Sequence, residues 1–286
     1  MAANDVKSFI KGLSDLSTLP ALMGRIITMA NDENASAGDF HKLISFDQAL
    51  AQRVLRYANS ALLGHSGQIR DIDQAIMFLG SDRIKSIASG MSVLDVFPYR
   101  SGFNVQNLWS HGYEVAYLAS ILSESISITQ PQECFLAGLL HDVGRVIFYT
   151  MDSKKFLQIE TTDTMLEQET AAFGCTHAEA GGWFAEEVFM PPEIIAAIRY
   201  HHQPSAVQEG RDIVSLIAMA EALSRQISPR IEDDGIWSQE HDAILLEFSL
   251  SQSSITLFAE KFAEVKTEID SFFPAPEPSG SPQLPT

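Results

Sequence analysis

Phe135-Leu-Ala-Gly-Leu-Leu-His-Asp-Val-Gly144 begins with six apolar or small residues and then sets His141 beside Asp142. A helix this apolar leaves no face for water, so it belongs in a core, and it carries the two polar side chains at its end inward. The spacing predicts one helix over about 131–150, on which adjacent residues lie about 100° apart and two unlike ligands reach a point beside the axis. The same 3.6-residue spacing recurs along the chain. Period-two runs of Val, Ile and Thr between tight-turn signals are missing, so the fold class is all-α.

Towards the N-terminus, Leu22, Ile26, Ile27 and Met29 fit one helix face. Ser36 is a predicted N-cap for a helix running to about Ile44, and another helix starts at Asp47 with Ala51, Val54, Leu55 and Ala58 inward. Gly64, Gly67 and Gly80 punctuate the following stretch, and Ile84 to Val96 is helical up to Pro98. Residues 1–98 therefore form a bundle of short helices, and Pro98–Asn104 is the expected boundary loop. Beyond it, 99–273 holds helices over about 107–127, 131–150, 154–173, 177–189, 192–202, 211–226, 240–250 and 254–272. The Pro-rich tail 274–286 has almost no apolar bulk and is expected to be flexible.

The chain has 286 residues, 19 Lys+Arg against 37 Asp+Glu, and a formal charge of −18. An acidic balance argues against direct nucleic-acid binding and against an anionic membrane surface, both of which need clustered cations. Cys134 and Cys175 are too few for a disulfide framework and are expected to be reduced thiols. The N-terminus lacks a secretory pattern and no uncharged apolar stretch reaches about 18 residues, so a cytoplasmic location without a membrane span is expected.

Of eight histidines, His41, His65 and His241 stand in polar or glycine-rich sequence and carry no expectation of a site. The other five lie on apolar faces. His111 is followed at four, seven, eleven and fifteen residues by Val115, Leu118, Leu122 and Ile126. His177 shares a face with Gly181, Phe184 and Val188, and His201-His202 close the run from Pro191 beside Ile194 and Ile198. One inward histidine is ordinarily a hydrogen-bonded core residue; five with an inward Asp, on four successive helices, suit a divalent first-row ion. Glu221 lies four residues after Ile217 and seven after Val214, inside Ile213-Val-Ser-Leu-Ile-Ala-Met-Ala-Glu-Ala-Leu223. Buried, it needs a metal, a cation or a proton; otherwise it is a partly exposed Glu on an amphipathic helix. Arg145, four residues after His141, is either a cation for a phosphate or a helix C-terminal charge answering the dipole.

This order of His111, His141-Asp142, His177-Ala-Glu-Ala-Gly181, His201-His202 and Ala220-Glu221 resembles the HD superfamily of metal-dependent phosphohydrolases. More closely the chain resembles HDOD proteins, the HD-related output domains of bacterial signalling. That likeness is carried by Leu19-Pro20, Ile44-Ser-Phe-Asp-Gln-Ala-Leu50, Val54-Leu-Arg-Tyr-Ala-Asn-Ser60, Asp73-Gln-Ala-Ile-Met-Phe-Leu-Gly80, Phe135–Gly144 and Glu169 with the seven residues before His177, over about 18–225. The resemblance implies an N-terminal helical bundle packed on an HD-like half. It also implies His111, His141 and Asp142 as metal ligands, with His177, His201 and His202 where two-metal HD-GYP relatives use further histidines. Glu221 stands where HD enzymes usually have Asp. Arg145 replaces the Lys after His-Asp-x-Gly in HD-GYP proteins, and His202-Gln-Pro204 lacks the Gly-Tyr-Pro signature.

Two functions follow. One is a regulatory or scaffolding HDOD module with a site for one or two divalent ions (Mn, Fe, Zn, Ni or Mg), acting on a signalling protein partner or a small phosphorylated ligand. The other is an HD-type phosphohydrolase of a nucleotide or other phosphate ester. In that case an ion lowers the pKa of a bound water, Asp142 orients the water and Arg145 meets the phosphate.

Overall fold

Local signals set the helix ends. The Ser36 hydroxyl accepts the Asp39 N–H at 3.2 Å while the Asp39 carboxylate accepts the Ser36 N–H at 3.3 Å, a reciprocal cap that starts α2, Ala37–Phe46. Asp47 accepts from the Leu50 N–H at 2.9 Å where α3, Gln48–Ala58, begins. Asp71 caps α4, Ile72–Leu79, which stops at Gly80 with φ 82° before α5, Ser81–Leu94. The computed structural model describes residues 2–15, 25–26, 28–29, 32, 35–59, 69–94, 97, 105–126, 131–160, 164–207, 210–227 and 239–272. Leu19-Pro20, His65, the 98–104 loop and the 274–286 tail lie outside them. Among the described residues all regular structure is helical.

The helix α6, Val105–Ile126, runs through the middle of the fold and packs on α7, Pro131–Leu140, and on α13, Arg211–Ile227. The first contact is unusually close. A Cβ on Gly138 would lie 2.6 Å from the Ala116 Cα, and one on Gly112 would lie 2.7 Å from the Leu139 carbonyl oxygen. Two glycines thus let the two backbones touch, and the end of α7 is delivered beside His111. From there the chain turns into α8, Val143–Met151, then α9, Ser153–Phe156, and α10, Met165–Phe173, which ends on Gly174 at φ 79°. Thr176 and Glu179 form a second reciprocal cap that starts α11, His177–Glu187. A Cβ at Gly144 would collide with the His177 carbonyl oxygen, so α8 crosses α11 backbone to backbone. The remaining helices are α12, Pro192–Tyr200; α14, Gln239–Glu247; and α15, Gln252–Phe272, which packs on α6.

The N-terminal helix α1, Ala3–Asp15, buries Val6 and Ile10 and packs against α11 and α8. Phe97 meets Phe184 of α11 with ring centroids 5.7 Å apart. One hydrophobic core runs from Val6 to Phe262. Glu133–Met151 is the stretch whose length and apolarity would suffice to cross a membrane, and 89% of it is buried inside the fold.

The expected helices are revised in three places. The helix over 131–150 is broken by a turn at His141-Asp142, so the pair does not sit on one helix and the 100° argument does not apply. The segment 154–173 is two helices, α9 and α10, the first ending in a turn at Leu157-Gln158. Finally, α12 ends at Tyr200, which leaves His201 and His202 in the turn after it. Over 134–149 the apolar pattern continues because the segment is buried on every side, and burial does not distinguish helix from buried turn.

Candidate metal centre

Three chain turns and one helix face converge. Asp142 occupies the N-cap position of α8, a place that an aspartate ordinarily uses to cap, yet its side chain makes no capping bond and points into the centre. His177 is the first residue of α11 and is fully buried. His201 follows α12, and Glu221 lies on the buried face of α13. Ligand atoms of His141, Asp142, His201 and Glu221 all lie within 4.8 Å of one another, as do those of His177, His201 and His202. His201 belongs to both groups.

The imidazoles are oriented before any ion arrives. Nδ1 of His141 donates to the Gly138 carbonyl at 2.7 Å, and Nδ1 of His201 donates to the Ile198 carbonyl at 2.8 Å. His177 Nδ1 donates to the Glu169 carboxylate at 2.8 Å, and that same carboxylate accepts the His177 backbone N–H at 2.8 Å. With Nδ1 engaged, each ring aims Nε2 inward, the arrangement that second partners impose on metal-binding histidines. His177 Nε2 lies 3.1 Å from Asp142 Oδ1, 3.3 Å from His201 Nε2 and 3.0 Å from His202 Nε2. Three nitrogen lone pairs and a carboxylate this close repel unless a cation lies among them.

In the metal-free protein that cation is a proton. Burial by itself disfavours imidazolium, but Glu169 and Asp142 outweigh it and raise His177 to about 10. Burial pushes His111 down to about 3, with His141 and Arg225 adding to it, and pushes His201 down to about 4. His202 is held well below its ordinary value for the same reason. Burial opposes ionised Asp142, yet His141 and His177 hold its carboxyl well below the usual range; Arg225 first, then the histidines, does the same for Glu221.

The donor set fits a divalent ion. His141 Nε2 and both Asp142 oxygens are buried with no hydrogen bond, a cost that folding avoids unless another partner takes their place. Of the four buried carboxylates, Asp142, Glu221 and Glu114 face Arg145, Arg225 and Lys266, and Glu169 is held by His177. His141, Asp142, His201 and Glu221 would hold one ion, and His177, His201 and His202 a second or the same one.

The expected residues are not all placed alike. His111 falls in neither group; its ring meets His141 edge-on at 5.2 Å between centroids, and its Nε2 is buried without a hydrogen bond. Arg145 stands in the first turn of α8, 2% exposed and 3.9 Å from Asp142, so it is no helix C-terminal cation. Glu221 is 3% exposed and takes the Arg225 guanidinium at 2.6 Å, which settles it as buried and paired. His41 pairs with Asp73 at 2.9 Å, away from the centre. Cys134 and Cys175 are buried and are not joined in a disulfide.

The fold is shared with known proteins. The HDOD domain pattern matches residues 16–204, two thirds of the chain. The chain belongs to the HDOD family.

Among solved structures, an HDOD domain protein of Geobacter sulfurreducens with unknown function superposes at TM-score 0.76, covering 96% of this chain and 98% of that one at 24% identity. A candidate phosphohydrolase of Shewanella amazonensis SB2B gives 0.72, covering 93% and 97% at 22% identity. Both show the fold. Among curated relatives, an uncharacterised protein of Treponema pallidum is 26% identical over 220 residues, 73% of this chain and 42% of its own length. Ribonuclease Y of Aquifex aeolicus is 26% identical over 165 residues, 54% of this chain and 24% of that enzyme. This HDOD chain therefore spans less than half the length of either curated relative.

The HDOD match ends before α13, so Glu221, Ser224, Arg225 and Lys266 come from outside it. Sequence reasoning missed Glu169 as the partner of His177, and also Glu114, Ser224, Arg225 and Lys266. Glu169 had a signal: it lies four residues from both Met165 and Phe173, on the buried stripe of α10. Arg225 follows Glu221 by one helix turn, the spacing of an ion pair.

Proposed function

We propose that this HDOD chain is a regulatory signal-transduction module whose HD-like half holds one or two divalent ions (Mn, Fe, Zn, Ni or Mg) as a structural and signalling element without turnover. Burial of every ligand but the half-buried His202 carries this reading. His141, Asp142, His177, His201 and Glu221 are 0, 3, 0, 2 and 3% exposed. A phosphate ester has to reach the ion with its leaving group and bring its charge to nearby cations. Arg145 and Arg225 instead face Asp142 at 3.9 Å and Glu221 at 2.6 Å. The net charge of −18 repels polyanions, which favours a signalling protein with a basic face over a nucleic acid as partner. A small phosphorylated ligand is the other partner class.

The second reading, a metal-dependent phosphohydrolase of a nucleotide or phosphate ester, is supported by the fullness of the donor set and by the unbonded Asp142 oxygens. The likeness to ribonuclease Y points the same way. An ion there would make a bound water more acidic; Asp142 would orient that water and Arg145 would meet the phosphate.

The test is the metal content of protein purified without added metal or chelator, alongside His141→Ala and Glu221→Ala, with hydrolysis of bis(p-nitrophenyl) phosphate measured on each. Stoichiometric metal lost in both variants, with no wild-type turnover above theirs, is the expected result. Turnover that His141→Ala abolishes would replace the regulatory reading with the hydrolytic one. A protein that stays metal-free after soaking in these ions would remove both.

A further inference from the structure

The inward histidine that belongs to neither ligand group has its own set of partners. His111 Nδ1 lies 3.5 Å from the Ser224 hydroxyl, and that hydroxyl donates to Glu114 Oε2 at 3.0 Å. A serine has one proton to give, and a carboxylate can only accept it. The proton is therefore spent on Glu114, and the His111–Ser224 contact requires the ring to donate from Nδ1. Nε2 is then the lone pair, buried and without a hydrogen bond, on a ring whose centroid lies 5.2 Å from that of His141.

Glu114 is fully buried one turn after His111, and its other oxygen takes Lys266 Nζ at 3.2 Å. Lys266 comes from α15. Ile255, Phe258 and Phe262 form the buried stripe of that helix, and Lys266 follows Phe262 by four residues, in register with the stripe. Phe262 packs near Tyr117 of α6 at 6.4 Å between centroids, so the docked helix carries the ammonium to Glu114.

We propose that Lys266, Glu114 and Ser224 form an orienting chain that presents His111 Nε2 to the metal, so that docking of the C-terminal helix α15 sets the affinity of the centre. This rests on the metal-site reading above. Lys266, Glu114 and Ser224 are positioning residues. Lys266 sets a positive charge against the buried Glu114 carboxylate, Glu114 fixes the direction of the Ser224 proton, and Ser224 selects the His111 tautomer. The helix that supplies Lys266 lies outside the HDOD match, at the rim of the centre, where a signal acting on that helix reaches His111 through Glu114 and Ser224.

The test is a Co(II) titration of the full chain, followed by visible absorption, on wild type, Ser224→Ala, Lys266→Met, Lys266→Arg and the double variant Glu114→Leu/Lys266→Met. Nitrogen-15 spectra of the imidazoles report the His111 tautomer in parallel. Ser224→Ala and Lys266→Met are expected to weaken Co(II) binding by about 10–100-fold. Ser224→Ala should also lose the single Nδ1-protonated form of His111, and Lys266→Arg should keep wild-type affinity. Should Lys266→Met unfold by stranding Glu114, the double variant, which replaces the buried pair by apolar side chains, gives the answer by the same loss of affinity. Wild-type affinity and tautomer in Ser224→Ala and in the double variant would overturn the inference while leaving the metal site standing. Wild type that binds no Co(II) would overturn both.

Discussion

Protons and metal compete for the same few atoms, and the pH dependence of the chelated protein follows from that competition. His111 and His201 are pushed by burial to about 3 and about 4, below the ordinary 6.5. The unfolded chain thus takes up protons at these positions first, and stability drains away as pH falls from about 6.5 to about 4. Asp142 and Glu221, whose pKa values are depressed, add a loss at still lower pH. His177 works in the opposite sense. Raised to about 10 by Glu169 and Asp142 against burial, it contributes fully below 6.5 and loses that contribution as pH rises towards about 10. Urea unfolding of chelated protein should therefore show a stability maximum near pH 6.5, with losses at both pH 5 and pH 9. A profile that climbs steadily to pH 9 would contradict a charged His177. Glu169 explains why that charge is tolerated, since it holds both the ring and the backbone N–H of one residue.

Helices matter here mainly through the places where they touch or stop. The α6–α7 and α8–α11 crossings each bring backbone against backbone at a glycine, and the ligands sit immediately beside those crossings. Gly138→Ala puts a methyl 2.6 Å from the Ala116 Cα, where only backbone can yield. The expected cost is about 1–3 kcal/mol in urea unfolding. Metal affinity should fall with it, because α7 ends at His141. Stability and affinity equal to wild type would show that the crossing opens without moving the centre. The break between α7 and α8 matters just as much. The turn places Asp142 Oδ1 3.1 Å from His177 Nε2 and 3.6 Å from His141 Nε2.

The whole chain folds around one core, and an ion that binds only the folded form stabilises all of it. At a free ion concentration one hundred times Kd the gain is about 2.7 kcal/mol. For a chain of 286 residues that corresponds to a melting shift of roughly 4–5 °C. Thermal melts with and without chelator should differ by that amount in wild type and by nothing in His141→Ala. Equal melts in wild type would argue that no ion binds at working concentration. The excess of acidic residues keeps the surface repulsive to polyanions, so salt should have little influence on this shift, which arises inside the fold.

Much of this was legible from residues alone. Apolar spacing predicted an all-helical chain, the Ser36 cap was visible as a residue type before a periodic run, and inward-facing His111, His141, Asp142, His177 and His201 followed from the side chains around them, whereas His202, read as inward too, is half-buried and Glu221 stood open between buried and partly exposed. Those readings succeed because a helix face is a local property, fixed by 3.6-residue spacing and by what water rejects. The turn at His141-Asp142, the partners Glu169, Arg225 and Lys266, and the division of the histidines into two groups with His111 outside both had to wait for the tertiary structure. Such features depend on residues up to 152 positions apart, as in the Lys266–Glu114 pair. Periodicity shows that a side chain points inward; only packing decides which other inward side chain it meets.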